Sequence, residues 1–221
     1  KAGIIRPGTP VVLAPQRYAE AERVVRETAE LLEAPVTAAD AVRLPSGWDP
    51  PAPAPFFREN LRCAWAVCTV LGIEPDRERF QWPQMRARCE QISDNPLVVL
   101  DGAHNGHSAE RLAEALTAVH PDTTFTTVLG VTRGKDAERI LEALLPVTGR
   151  FVFTHPRTPK GSELERLVAH AKHLGVSYRT VPELTTRKQL SENGALLFTG
   201  SFFTAAIGED LYATESPSSS G

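Results

Sequence analysis

Cysteine is scarce in this sequence. It has three cysteines, Cys63, Cys68 and Cys89, and none of them forms a CxxC pair or a zinc-ligand spacing. The pattern therefore excludes a disulfide framework and a structural zinc site. An odd count of isolated cysteines is typical of reduced thiols, so we expect a cytoplasmic protein.

Long apolar runs and a strong net charge are also lacking. No apolar run approaches the roughly 18–20 residues of a membrane span. The formal net charge of −3 gives no reason to expect nucleic acid or an anionic membrane as a partner. The composition, 42% hydrophobic and 23% charged, is typical of a globular protein with one large domain or two small ones. We therefore expect small-molecule partners, no nucleic acid and no membrane.

Three nucleotide and hydrolase motifs are absent. No GxGxxG follows a predicted strand, and neither GxxxxGK(S/T) nor GxSxG occurs. The chain thus has no classical dinucleotide fingerprint, no P-loop and no nucleophile elbow of its own. The sequence also has neither an initiator Met nor a signal peptide. We expect it to be the downstream part of a longer protein.

The stretch Leu97 to Leu116 is the clearest element pattern that is present. Leu97 to Leu100 are four consecutive apolar residues, typical of a strand buried on both faces of a parallel sheet. Asp101 and the small-residue turn 102–105 follow, and an amphipathic helical pattern comes after Ser108. Ligands of open α/β sheets bind beyond the carboxyl ends of the strands, so the polar residues of this turn are candidate site residues.

Strand and helix patterns alternate about five times between residues 86 and 213. Besides 97–100, the predicted strands are 124–129, 150–154, 176–181 and 195–199, and the later predicted helices are 135–145, 163–174, 183–192 and 202–212. This order predicts an α/β fold with a doubly wound, mainly parallel sheet.

The first 84 residues carry fewer elements. A strand is predicted within 10–15, a strand or loop over 36–42, and helices over 17–32, 56–71 and 74–84. Residues 44–55 hold five prolines in twelve positions and are expected to be a loop. We place a domain boundary near Trp82 to Arg88, which divides the chain into 1–84 and 85–213. The Ser-rich tail, 214–221, is expected to be disordered.

Polar or small residues follow three of the predicted strands. They lie at 101–105, 130–136 and 200–201. Because the carboxyl ends of parallel strands share one edge of a sheet, a carboxylate, an imidazole, an amide, a lysine and a hydroxyl are expected to converge there. The last of these segments could instead be a simple turn between strand and helix.

Each of the other candidates has a structural alternative. Asp101 and Asn105 could satisfy the turn and cap the following helix. His104 could be a hydrogen-bonded surface histidine. Lys135 and Asp136 could be a solvated helix start. From spacing alone, the sequence indicates an α/β ligand-binding domain with its site at the strand ends.

Four segments together resemble a known family. They are KAGIIRPGTPVV (1–12), LDGAHN (100–105), GVTRGKDAE (130–138) and LFTGSFF (197–203). In order and spacing they resemble folylpolyglutamate synthase/dihydrofolate synthase, a branch of the Mur ligase superfamily. The resemblance implies that 85–213 form the Rossmann-like C-terminal domain of a Mur ligase. It also implies that 1–84 are a C-terminal remnant of the central ATP-binding domain.

The resemblance implies a reaction of folate biosynthesis and one-carbon metabolism. ATP, with Mg²⁺, phosphorylates a carboxylate of a folate or dihydropteroate, and the amino group of L-glutamate displaces phosphate from the acyl phosphate to form an amide. The protein would be a cytoplasmic monomer, and this chain, which has no P-loop, would be inactive alone. Two alternatives stay open: a non-catalytic module that binds a nucleotide or amino acid, and a Mur-type ligase for another substrate.

The resemblance also assigns roles to residues on the nucleotide side. Lys1 matches a lysine that is carbamylated, a catalytic residue whose carbamate oxygens help hold Mg²⁺. Asn60, Arg88 and Asp101 match residues that contact the nucleotide, with Asp101 at the ribose. Arg86 competes with Arg88, and Arg88 is preferred for its distance to Asp101.

Two further residues match positions on the glutamate side. His104 and Ser201 match glutamate-binding positions, and His104 is also a catalytic candidate. Lys135 and Asp136 match a recurrent pair to which the resemblance gives no stated role.

Overall fold

The computed structural model describes residues 1–48, 50–83, 85–190 and 194–212. The chain divides into two compact units, residues 1–82 and 83–221. The tail predicted to be disordered, 214–221, lies outside the described residues. Within the described residues, no helix combines the length and the apolar character needed to cross a membrane.

The first unit is a short parallel strand pair with two helices. The strands are β1 (Val11–Leu13) and β2 (Val36–Ala38), and the helices are α1 (Ala19–Leu31) and α2 (Pro55–Leu71). Pro55 suits the first position of α2, because the N–H that proline lacks would have no partner inside the helix.

The helix predicted within 74–84 is wrong. No described residue of that segment is helical. The carboxylate of Asp76 accepts hydrogen bonds from the backbone N–H groups of Glu78 and Arg79, at 3.0 and 3.2 Å. Such a local turn competes with helix formation for the same donors.

The second unit is a six-stranded sheet with helices on both faces. Its strands are β3 (Glu90–Asp94), β4 (Leu97–Leu100), β5 (Phe125–Leu129), β6 (Thr148–Phe153), β7 (Tyr178–Thr180) and β8 (Leu196–Thr199). Its helices are α3 (Gly106–Val119), α4 (Ala137–Leu144), α5 (Leu164–Leu174) and α6 (Phe202–Tyr212). The strand order is β3-β4-β8-β5-β6-β7 and every pair except β3–β4 is parallel, which confirms the predicted fold class.

Two features of this unit differ from the sequence expectation. β3 is an antiparallel edge strand that the sequence did not reveal, because four of its five residues are polar and none is fully buried. The helix predicted over 183–192 is reduced to a single 3-10 turn at Arg187–Gln189 within the described residues, which end at 190 on this side.

The centre of the sheet explains the unbroken apolar run of β4. Val99 packs into the core on the side of α3, α4 and α5, whereas Val98 and Leu100 pack into the core that includes α6. Because neighbouring residues of a strand point to opposite faces, a strand covered on both sides needs apolar residues at every position.

Candidate functional site

The three polar loops predicted to converge do meet at one edge of the sheet. β8 lies between β4 and β5, so the carboxyl ends of these strands are neighbours. The backbone N–H of Asp101 donates to the carbonyl of Phe198 at 2.9 Å, and that of Gly130 donates to Thr199 at 3.1 Å. These bonds hold the loops after the strands side by side.

Asp101 is buried and anchors the turn after β4. One carboxylate oxygen accepts from the Ala103 N–H at 2.7 Å, and the other accepts from the Cys89 N–H at 2.8 Å. Burial raises the pKa of the Asp101 carboxyl to about 6, although these two hydrogen bonds act to lower it. The structure therefore shows that Asp101 accepts hydrogen bonds from backbone N–H groups around the turn. Its contact with a nucleotide stays a prediction.

His104 is half-buried in the same turn, with one ring nitrogen already engaged. Its Nδ1 lies 2.9 Å from the carbonyl oxygen of Gly102. A carbonyl can only accept, so Nδ1 carries the hydrogen, and Nε2 of the neutral ring is the acceptor. The turn thus fixes the tautomer that leaves Nε2 able to take a proton.

Asn105 and Asp136 cap the N-termini of helices, which agrees with the structural role that the sequence left open for each of them. The Asn105 side chain accepts from the Ser108 N–H at 2.8 Å at the start of α3. The Asp136 carboxylate accepts from the Arg139 N–H at 3.2 Å at the start of α4. Lys135, next to Asp136, is exposed.

Ser201 is buried, and its hydroxyl bridges two loops. The oxygen lies 3.0 Å from the carbonyl of Gly130 and 2.8 Å from the hydroxyl of Thr204, and it accepts from the Thr204 N–H at 3.1 Å. The hydroxyl is therefore committed to protein partners. A contact with glutamate would have to replace one of these bonds.

The two competing arginines have different surroundings. Arg86 forms ion pairs with Glu90 at 2.7 Å and with Glu209 at 2.6 Å. The guanidinium of Arg88 instead lies over the ring of Phe202, with 4.8 Å from Cζ to the ring centroid. Arg86 is thus occupied by carboxylates, whereas Arg88 is held by an aromatic face at the edge where Asp101 lies.

Two residues of this edge were missed by sequence reasoning. Phe202, the first residue of α6, contacts Arg88 and lies 6.4 Å, centroid to centroid, from the ring of His104. Glu163 is buried, accepts from the Gly134 N–H at 2.5 Å and so holds the loop after β5. Phe202 lies in the LFTGSFF segment, which could have drawn attention to it. Glu163 has no such signal, because an acidic residue is common in the first turn of any helix.

A small cleft at the ends of β6 and β7 is also absent from the sequence predictions. Its volume is about 250 Å³, and its lining includes His155, Arg157, Leu184 and Ile207. Arg157 donates to Asp210 at 2.6 Å and to the carbonyl of Leu184 at 3.1 Å. This guanidinium is already paired with one carboxylate, so an anionic ligand in the cleft would have to share it with Asp210.

The remaining candidates belong to the first unit. Lys1 is exposed and precedes a 3-10 turn at Ala2–Ile4, and Asn60 is exposed on α2. Within the described part of the chain, no group of three or more His, Cys, Asp or Glu side chains could hold a metal ion.

Known proteins resemble this chain in sequence and in fold. A curated dihydrofolate synthase/folylpolyglutamate synthase from Buchnera aphidicola is 27% identical over 173 residues, covering 75% of this chain and 40% of that protein. Folylpolyglutamate synthase from Mycobacterium tuberculosis, solved with ADP and AMPPCP, is 24% identical with a TM-score of 0.80 over 96% of this chain and 57% of that one. A bifunctional enzyme of the same kind, solved with Mn, AMPPNP and L-glutamate, is 24% identical with a TM-score of 0.77 over 94% of this chain and 54% of that one.

These matches confirm the resemblance inferred from the four segments. The chain spans 40% of the length of the Buchnera relative, a fraction well short of the whole enzyme. The family model described as "Mur ligase, glutamate ligase domain" matches residues 87–202, which include Arg88, Asp101, His104 and Ser201. Because that match covers more than half of the 221 residues, the chain belongs to the Mur ligase family through its glutamate ligase domain.

Proposed function

We propose that the chain is the C-terminal portion of an ATP-dependent ligase that adds L-glutamate to a folate or dihydropteroate carboxylate through an acyl phosphate. One observation carries the proposal: Arg88, Asp101, His104 and Ser201 lie at one edge of the sheet inside the matched domain. The names of the relatives supply the substrate class.

Arg88 and Asp101 form the nucleotide side of the proposed site. A guanidinium presents several N–H donors in one plane and binds phosphate oxygens as a fork. Asp101 has both oxygens engaged by backbone N–H groups, and its remaining lone pairs can accept from a ribose hydroxyl. Its further role is to orient the backbone on which Arg88 lies, through the bond to Cys89.

His104 acts on the incoming glutamate in this proposal. The α-ammonium group must lose a proton before its nitrogen can attack the acyl phosphate. Nε2 of His104 is the acceptor in the tautomer that Gly102 imposes, and it would take this proton. The new C–N bond then forms as the bond between the carbonyl carbon and the phosphate oxygen breaks. Inorganic phosphate leaves with that electron pair and takes up the second proton that the nitrogen loses.

Ser201 and the Arg157 cleft are the candidates for binding glutamate carboxylates. Ser201 holds the loop after β5 against the loop after β8, so it would shape the binding surface as well as contact the ligand. Arg157 offers a cation at the same edge of the sheet, although it shares its charge with Asp210.

Lys1, Asn60 and magnesium belong to the proposal for the longer protein. A carbamate on Lys1 would supply oxygen ligands that suit a hard cation such as Mg²⁺. None of the steps above passes through the metal. We propose that residues 1–84 are part of the central ATP-binding domain and that 85–213 are the C-terminal domain. The longer protein is proposed to be a cytoplasmic monomer, and the 221-residue chain alone is proposed to be inactive.

The test is incorporation of labelled glutamate. The protein encoded by the whole reading frame and the 221-residue chain are each assayed with ATP and Mg²⁺ against dihydropteroate and reduced folates. We expect incorporation by the longer protein and none by the chain alone. Failure of the longer protein to add glutamate to any folate would refute the proposal.

A further inference from the structure

The backbone on both sides of Arg88 is held in an unusual conformation. Ala87 and Cys89 have φ values of 51° and 49°, in the left-handed region that residues with a Cβ rarely adopt. Three hydrogen bonds retain this geometry: Ala87 N–H to Glu90 at 2.7 Å, Gly102 N–H to the Ala87 carbonyl at 2.9 Å, and Cys89 N–H to Asp101 at 2.8 Å. Strain of this kind persists only where surrounding contacts enforce it.

The clamped segment places the Arg88 side chain on an aromatic ring and not on a carboxylate. Among the described residues, Arg88 has no ion pair within 4.0 Å, although its charge acts on the buried carboxyl of Asp101, and its guanidinium contacts the ring of Phe202. A cation on a ring face is attracted by the π electrons and needs no N–H donor for that attraction. Arg86, two residues earlier, is the contrast, because Glu90 and Glu209 occupy its donors.

Phe202 packs against its neighbours, although 46% of it is exposed. It begins α6 directly after Ser201, whose hydroxyl is bonded to the loop after β5. Gly102 lies so close that a Cβ there would come within 2.5 Å of the Phe202 ring. The ring therefore lies against the turn of β4 and below the guanidinium of Arg88.

We propose that Phe202 is a positioning residue that holds the Arg88 guanidinium by its face and leaves the N–H donors for the phosphate groups of a nucleotide. This inference rests on the nucleotide role of Arg88 in the proposed function. A carboxylate in place of the ring would also hold Arg88, but it would neutralise the charge and occupy the donors that phosphate needs.

The variants are Phe202→Leu, Phe202→Tyr and, as matched control, Phe203→Leu. Phe203 is the next residue of α6 and is 43% exposed, so its loss removes a similar apolar surface. The leucine at 202 removes the π face, and the tyrosine keeps it. All variants, and Arg88→Ala, are made in the protein encoded by the whole reading frame, and thermal unfolding checks that each one is folded.

The first measurement is ADP affinity by calorimetry. We expect Phe202→Leu to weaken ADP binding about threefold to tenfold, the range of a partly exposed cation–π contact. Phe202→Tyr should restore the affinity, and Phe203→Leu should leave it unchanged. In the Arg88→Ala background, Phe202→Leu should have no further effect, because Phe202 acts through Arg88.

The second measurement needs no ligand. The guanidinium of Arg88 lies over the ring of Phe202, whose ring current shifts nearby NMR signals. Phe202→Leu should therefore move the ¹⁵Nε–¹H signal of Arg88, and Phe203→Leu should not. The inference is overturned if Phe202→Leu leaves either the Arg88 signal or the ADP affinity unchanged. It is also overturned if Phe202→Leu weakens ADP binding as much in the Arg88→Ala background as in the wild type, or if the wild type does not bind ADP. Loss of glutamate incorporation with this ADP pattern intact would contradict only the proposed ligase function.

Discussion

The carboxylate of Asp101 accepts a hydrogen bond at 2.8 Å from the backbone N–H of Cys89, and so ties the residue after β4 to the residue before β3. This bond crosses the β3–β4 hairpin at the end where Arg88 lies. The charge state of the Asp101 carboxyl therefore affects both the stability of the protein and the position of the backbone that carries Arg88.

Asp101→Asn should change how stability depends on pH. The pKa of Asp101 is raised from 3.8 to about 6, so its contribution to the free energy of unfolding is largest below pH 3.8 and is lost as the pH rises through 6. The shift corresponds to about 3 kcal/mol. Urea unfolding should therefore show the stability of the variant rising relative to wild type by that order between pH 4 and 7. A stability difference between variant and wild type that does not change with pH would contradict this.

Asn105→Ala should destabilise the protein by about 1 kcal/mol, because it removes the side chain that accepts from Ser108 at the start of α3. Asp136→Ala removes the equivalent cap of α4 and should cost a similar amount. Urea unfolding at pH 7 measures both. Equal stability of Asn105→Ala and wild type would mean that solvent replaces the cap without loss.

Ser201→Ala should cost only about 1 kcal/mol of stability, since Thr204 still donates to the carbonyl of Gly130 at 2.8 Å. The double variant Ser201→Ala, Thr204→Ala leaves that buried carbonyl without either hydroxyl and should cost more than the sum of the single losses. In the ligase assay, Ser201→Ala should mainly raise the KM for glutamate. An additive double variant would argue against the shared bond.

Two glycine substitutions should have opposite consequences. At Gly200, φ is 94° and a Cβ would lie 2.8 Å from the backbone oxygen of Gly130, so Gly200→Ala should cost about 2 to 3 kcal/mol. At Gly102, the three atoms nearest to a Cβ all belong to the half-exposed ring of Phe202, and a side chain shifts at less cost than backbone. Gly102→Ala should therefore keep most of the stability and lower ADP affinity. A reversed order in unfolding and calorimetry would refute both expectations.

His104 should carry its hydrogen on Nδ1. Long-range ¹⁵N–¹H correlation spectra distinguish the two neutral tautomers, and the bond to the carbonyl of Gly102 requires this one. His104→Ala should lower kcat for glutamate addition more than it raises the KM for ATP. Hydrogen on Nε2 in the neutral ring would remove the base assigned to the site.

The sequence was most informative where burial leaves a periodic pattern. β4 lies between two cores, so its apolar run could be recognised from the letters alone, and the capping residue Asn105 follows at the expected place. β3 was missed because a half-buried edge strand carries polar residues and gives no such run. The helix predicted within 74–84 does not form, because the side chain of Asp76 accepts hydrogen bonds from backbone N–H groups of that segment in a local turn.

The parts of the site that sequence reasoning could not supply are long-range. The choice between Arg86 and Arg88 depends on Glu209 and Phe202, which lie more than a hundred residues away in the chain. Whether the hydroxyl of Ser201 is available depends on Gly130 and Thr204. Contacts of this kind are set by how the strands are ordered, and the letters around each residue do not reveal them.

The position of β8 has a consequence for how the protein is made. This strand, the last one among the described residues, inserts between β4 and β5, both of which are synthesised long before it. Until residues 196–199 leave the ribosome, two central strands expose unpaired backbone edges that favour aggregation. Assembly of the sheet must therefore wait until residues 196–199 have been made, and the loops that carry Asp101, Gly130 and Ser201 first come together at that point.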